Sequence, residues 1–162
     1  MNKELITLRV NGREHQLAVE PNRLLLDVLR RELGLTGSKL ACDDSSCGAC
    51  TVLIDGVPML SCTLLAASCQ GCEITTVESL AGDGRLSALQ RAWGVGGGSQ
   101  CGFCTPGFLM TVKALLENNP DPSDEDIRRA ISGNLCRCTG YTQMYDAVKL
   151  ALKSQARVAV GE

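Results

Sequence analysis

Cys42-Asp43-Asp44-Ser45-Ser46-Cys47-Gly48-Ala49-Cys50 sets three thiols among small and acidic residues, and Cys62 follows as a fourth. Together they spell C-x4-C-x2-C-x11-C, three donors in one tight loop and one from a later element. This spacing delivers four thiolates to the two irons of a [2Fe–2S] cluster. Such a cluster is an anion. The loop that holds it must bring backbone N–H groups close to its sulfurs, which small residues permit. Gly48 stands where the backbone has to approach most closely.

The flanking sequence builds a sheet around this loop. Ile6, Leu8 and Val10 alternate, Asn11-Gly12 follows, and His15, Leu17 and Val19 alternate again. Asn-Gly between two alternating runs is the strongest short hairpin signal, because a type I′ turn needs positive φ at both central residues. Asn22 is placed to cap a helix carrying Leu25, Val28, Leu29 and Leu33, with Gly34 closing it. Downstream of the loop, residues 51–54 read as a strand, Asp55-Gly56 as a turn and 57–60 as a strand that Pro58 confines to an edge or bulge. Cys62 falls where that strand ends, and residues 74–77 read as a last strand. A hairpin, a helix across it and further strands make a small α+β sheet of the β-grasp kind, expected over residues 1–79.

The pattern then becomes helical, over residues 80–162. Residues 85–93 read as a short helix, and the Gly-rich 94–99 connector delivers Cys101 and Cys104. Thr105 suits an N-cap and Pro106 the first helical position of a helix through 116. Ser123 with Asp126 resembles a capping box for a helix to 131, closed by Gly133. A final helix starts at about 142, with Val148, Ala151 and Leu152 on one face, and the chain after about 155 reads as a loose tail. The expected architecture is therefore α+β, a β-grasp domain followed by a four-helix bundle domain.

Cys101, Cys104, Cys136 and Cys138 form a second tetrad, C-x2-C and then C-x-C. Zinc tetrads come mostly as two close pairs, which weighs against zinc at the first site. Spacing alone leaves zinc open at the second. Both pairs of the second tetrad precede predicted helices, whose N-termini favour an anionic group. Cys69 and Cys72 have no second pair to complete a tetrad and read as ordinary cysteines. The only histidine, His15, reads as packing, as does Trp93. No serine–histidine–acid set, phosphate loop or dinucleotide-binding glycine motif is present. A net charge of −2 gives no long-range attraction to nucleic acid or anionic lipid. No apolar run approaches the roughly 18–20 residues of a membrane span, and the start carries no apolar signal segment. A cysteine-rich chain of this kind is expected in the cytoplasm, with its thiols on metal rather than in disulfides.

Longer motifs narrow the reading. Gln100-Cys101-Gly102-Phe103-Cys104-Thr105-Pro106-Gly107 and Gly133-Asn134-Leu135-Cys136-Arg137-Cys138-Thr139-Gly140-Tyr141 resemble the signatures of the molybdenum hydroxylase family, and the first loop with Thr51-Val52-Leu53 is similar too. That family includes xanthine dehydrogenases, aldehyde oxidoreductases and aerobic carbon monoxide dehydrogenases. The resemblance is to its small iron–sulfur subunit and runs from about residue 5 to 152. It implies a ferredoxin-like domain with a [2Fe–2S] cluster on Cys42, Cys47, Cys50 and Cys62. It also implies a helical domain with a second cluster on Cys101, Cys104, Cys136 and Cys138. It further implies a large molybdopterin-binding partner beside the helical cluster, an FAD-binding partner nearer the other, and a dimer of heterotrimers. Electrons would run from molybdenum through both clusters to FAD. Gln100 matches a residue that contacts the pterin. No catalytic residue is expected in this chain. Ala41 stands where glycine is common, and Asp43-Asp44 make the first loop unusually acidic, which would lower the potential of its cluster.

Overall fold

The computed structural model describes residues 2–82 and 84–160, with side chains through 154. Strands β1 (Glu4–Val10) and β2 (Arg13–Val19) pair antiparallel from Glu4↔Val19 to Val10↔Arg13. Asn11 and Gly12 take φ of 52° and 75°, the turn that their sequence predicts. Strands β3 (Thr51–Ile54) and β4 (Val57–Leu60) form the second hairpin. Strand β5 (Glu73–Thr75) completes a mixed sheet of order β2-β1-β5-β3-β4, with β1 and β5 parallel. Pro58 therefore lies on an edge strand. β5 ends at Thr75, before the expected 77, because the amide of Asn11 takes up the next residue. Thr76 N–H donates to Asn11 Oδ1 at 2.8 Å, and Asn11 Nδ2 donates to Thr76 Oγ1 at 2.9 Å.

The helix across the sheet departs from expectation. It comprises α1 (Leu25–Asp27) continued by a π-helical turn, Val28–Glu32, and Asn22 caps nothing. The first N–H groups have other partners. Leu25 N–H donates to Leu64 O at 2.8 Å and Leu26 N–H to Ser61 O at 3.0 Å. The segment after β4 thus supplies the acceptors that a capping side chain would otherwise provide. Gly34, at φ 69°, follows the end of the turn as expected. Leu25, Val28 and Leu29 pack with Ile6, Leu8, Val10, Val52 and Ile74 in one core, each burial worth about 1.5–3 kcal/mol.

The second half carries α2 (Ala88–Val95), α3 (Thr105–Asn118), α4 (Asp124–Ile131) and α5 (Thr142–Val160). α2 starts later than the expected 85 because Ser87 and Gln90 form a reciprocal capping box. α3 is capped from Cys104, so Thr105 is its first residue and not its cap. Ser123 and Asp126 form the expected box on α4, which closes at Ser132. α5 runs as helix to Val160, through the stretch that reads as a tail, and Gly161 and Glu162 lie outside the described residues. Trp93, Phe108, Ile127, Met144 and Val148 make the core of this bundle. Helix α3 also reaches the sheet: Met110 and Ala114 are buried against Leu53 of β3.

Candidate metal centres

The first cysteine loop is shaped by local polar contacts. Asp44 Oδ1 accepts from Ser46 N–H at 3.1 Å and from Ser46 Oγ–H at 2.6 Å, and Ser45 takes φ 68°. This turn brings Cys42 Sγ to within 3.0 Å of Cys47 Sγ. Cys62 arrives from the end of β4, where buried Ser61 donates through Oγ to Cys50 O at 2.7 Å and so sets Cys62 beside Cys50. Burial, then the neighbouring Cys50 and the more distant Cys42 and Cys47, push the Cys62 thiol up to about 12. Burial likewise raises Cys47, whereas the contact with Cys47 lowers Cys42.

The second loop set lies where two helices begin. Cys101 and Cys104 precede the body of α3, while Cys136 and Cys138 occupy the turn between α4 and α5. Cys138 Sγ is 3.6 Å from Cys101 Sγ. Burial and the adjacent Cys136 push Cys104 up to about 12. At Cys136 burial works upward, but the donors of Thr139 and Cys138 and the Cys104 thiol outweigh it and the thiol is lowered. Those donors are Thr139 Oγ1 at 3.2 Å, Cys138 N–H at 3.4 Å and Thr139 N–H at 3.5 Å. Cys136 N–H in turn donates to Tyr141 Oη at 2.9 Å, with Tyr141 at φ 72°.

Both sites thus show two thiol pairs: 42 with 47 and 50 with 62, then 101 with 138 and 104 with 136. A single zinc ion draws four donors to about 2.3 Å around one point. Among the described residues no three cysteine, histidine or acidic side chains converge in that way. A binuclear core takes two thiolates at each iron, so the donor set fits a [2Fe–2S] group.

The loops also touch each other. Leu135 N–H donates to Cys47 O at 2.8 Å, and Asn134 Nδ2 donates to Gly48 O at 2.9 Å. Gly48, at φ 67°, is approached so closely that a Cβ there would lie 2.4 Å from Gly133 O. The sequence marks Gly48 as a close approach to the cluster sulfurs, whereas the neighbour that the structure sets against it is Asn134, 86 residues away. Asn134 and Thr139 emerge only in the structure. Their signal in the sequence is a position inside a cysteine motif, with no periodicity to mark them.

The other candidates fall as follows. Gln100 is exposed beside Cys101, on a connector fixed by the 2.6 Å contact between Ser99 Oγ and Thr105 Oγ1. Cys69 is buried in the sheet-half core, and Cys72 contacts Asp55. His15 is half-buried on β2, and Arg137 is exposed. Leu40, Phe103 and Leu135 are exposed apolar side chains, and the last two line a cleft over Cys101, Cys104, Cys136 and Cys138.

Two family models match this chain. A 2Fe-2S iron-sulfur cluster binding domain covers residues 8–70, and a [2Fe-2S] binding domain covers residues 76–149. The nicotinate dehydrogenase small FeS subunit of Eubacterium barkeri is 48% identical over 153 residues, covering 94% of this chain and 98% of that one. Quinoline 2-oxidoreductase from Pseudomonas putida 86 contains a chain that superposes with a TM-score of 0.91 at 43% identity, covering 97% of this chain and 98% of that one. The aldehyde oxidoreductase of Desulfovibrio gigas superposes with a TM-score of 0.88 at 42% identity, covering 98% of this chain but only 18% of that longer one. The chain belongs to the family of small iron–sulfur subunits of the molybdenum hydroxylases. It is an electron-transfer subunit of an oxidoreductase with two [2Fe–2S] domains. No described helix is long and apolar enough to cross a membrane.

Proposed function

We propose that Cys42, Cys47, Cys50 and Cys62 ligate one [2Fe–2S] cluster and that Cys101, Cys104, Cys136 and Cys138 ligate the other. The pairing of sulfurs carries this reading: 42/47 would take one iron and 50/62 the second, with 101/138 and 104/136 divided likewise. The clusters supply one-electron carriers, and the chain's own residues do the rest. Burial excludes water from Cys50, while Thr139 and the N–H of Cys138 place positive dipoles on Cys136. Burial holds Cys62 and Cys104 protonated when free, so loading displaces those protons.

Residues 1–79 and 80–162 are taken as the two units, each with one tetrad. Electrons enter from a molybdopterin centre on a large partner subunit at the helical tetrad and leave through the sheet-side tetrad to FAD on a third subunit. Gln100, exposed beside Cys101, contacts the pterin. The apolar cleft formed by Phe103 and Leu135 supports docking of the large subunit on this face, since exposed apolar patches mark partner surfaces. The Eubacterium barkeri relative, named as a small FeS subunit and matched over 98% of its length, supports the molybdopterin- and FAD-binding parts lying on partner subunits. The assembly is a cytoplasmic dimer of heterotrimers, and no residue of this chain is catalytic.

The test is electron paramagnetic resonance on dithionite-reduced protein, with iron quantified on the same sample. Two distinct half-spin signals and about four irons per chain are expected. One signal with about two irons would remove the second site from the relay.

A further inference from the structure

The two ligand loops meet through one buried side chain. Asn134 is 3% exposed, and both polar atoms of its side chain and its backbone N–H are engaged. Its Nδ2 donates to Gly48 O at 2.9 Å, its Oδ1 accepts from Thr111 Oγ1 at 2.8 Å, and its own N–H donates to Ile131 O at 3.1 Å. Thr111 stands on α3, the helix whose N-cap position is Cys104. The Asn134 amide therefore touches all three pieces that position the tetrads: the first loop, the second loop and α3.

The receiving carbonyl cannot shift freely. Gly48 O also accepts from Thr51 Oγ1 at 2.7 Å and from Thr51 N–H at 3.1 Å, which ties it to the start of β3. On its other side α3 presses close, where a Cβ on Gly107 would lie 2.3 Å from Gly48 O and 3.0 Å from Asn134 Nδ2. Two glycines are thus spent on bringing this carbonyl, this amide and this helix together. Thr111 orients the amide, because its hydroxyl donates to Oδ1 and so turns Nδ2 toward Gly48.

We infer that Asn134 is a positioning residue that sets the separation and relative orientation of the two cysteine tetrads, with Thr111 as the residue that orients it. The inference rests on the two-cluster reading above. One electron passing between the sites oxidises one centre and reduces the other, and its rate falls steeply with distance. A brace at the closest approach of the loops fixes that distance while leaving every ligand in place. The neighbouring bond from Leu135 N–H to Cys47 O depends on the same register.

The full chain with both clusters loaded provides the test, because magnetic coupling between two reduced centres varies with the inverse cube of their separation. Asn134→Ala is expected to keep its iron content and both individual signals while the splitting in the fully reduced protein shrinks and spreads over a range of values. Thr111→Val, which removes the orienting hydroxyl in nearly the same volume, is expected to move the splitting in the same direction. Thr111→Ser, which restores the hydroxyl, is expected to return it to the wild-type value. A wild-type splitting in both Asn134→Ala and Thr111→Val overturns the inference. If Asn134→Ala fails to load, the Val and Ser pair at 111 decides it, and equal splitting in those two overturns it. A wild-type protein with one signal only would instead overturn the two-cluster reading, a distinct result.

Discussion

The N–H of Leu135 donates to the carbonyl of Cys47 across 2.8 Å, so the residue before one predicted ligand is bonded to another predicted ligand's own backbone. The contact is between loops, not between layers of the fold. It makes the two sites mechanically one unit, although they are built by a sheet and by a helix bundle.

Gly107→Ala tests how tightly this joint is packed. In an exposed helix the change would stabilise by up to about 1 kcal/mol. Here the new Cβ would stand 2.3 Å from Gly48 O, an atom held by Thr51 and Asn134, so the backbone has to move. Overpacking of this kind costs about 1–3 kcal/mol. A net loss of stability is expected, seen as a lower urea midpoint with unchanged slope. A raised midpoint would show that α3 has room at this position.

Thr139→Val addresses the tuning of the second site. Its hydroxyl points at Cys136 Sγ from 3.2 Å, and hydrogen bonds to cluster sulfurs favour the reduced, more negative form. Removing a bond with a net worth of about 1 kcal/mol lowers a one-electron potential by a few tens of mV, since about 59 mV is a factor of ten. A redox titration followed by the signal of that site should show the downward shift, with the other site unmoved.

Much of the fold is legible in local chemistry. Asn11-Gly12 and Asp55-Gly56 adopt the positive φ values that their hairpins demand, and Ser123 with Asp126 caps α4 as the pattern implies. Misreadings arise where a distant segment supplies what a local residue was expected to give. Asn22 is idle because Leu64 and Ser61 carbonyls serve the start of α1. The cysteine spacings are equally legible, whereas the brace at Asn134 is not. Its partners Gly48 and Thr111 belong to other elements, and no local pattern links them.

Asp124 with Lys149, and Arg128 over the Tyr145 ring at 5.1 Å, tie α4 to α5 and predict an alkaline response. Lys149 Nζ is 3.1 Å from Asp124 Oδ1, and the Asp124 carboxylate raises both Lys149 and Tyr145 above their ordinary values of 10.5 and 10.0. A raised value means that the fold favours the protonated form. The contribution is whole below the ordinary values and is lost as pH rises through the raised ones. Asp124→Asn should bring the phenolate absorbance change that is absent in Tyr145→Phe to a lower pH. An unchanged Tyr145 titration would show that the carboxylate does not act on the ring.

Asp44→Asn separates charge from shape in the first loop. The side-chain oxygen of Asn retains an acceptor for Ser46 N–H and Oγ–H, the two bonds that hold the turn at Ser45. The substitution therefore removes a negative charge two residues from Cys42 with little change to the turn. The Ser46 bonds, acting first, and the Cys42 contact keep the Asp44 carboxyl below the ordinary carboxylate range, so the charge is present at neutral pH. An added electron is repelled by that charge, so the midpoint potential of the sheet-side centre should rise on neutralisation, while the helical centre, on the far side of the joint, stays where it was. A titration showing no upward shift would mean that solvent screens this exposed carboxylate completely, and the acidic pair would then have no part in setting the direction of electron flow.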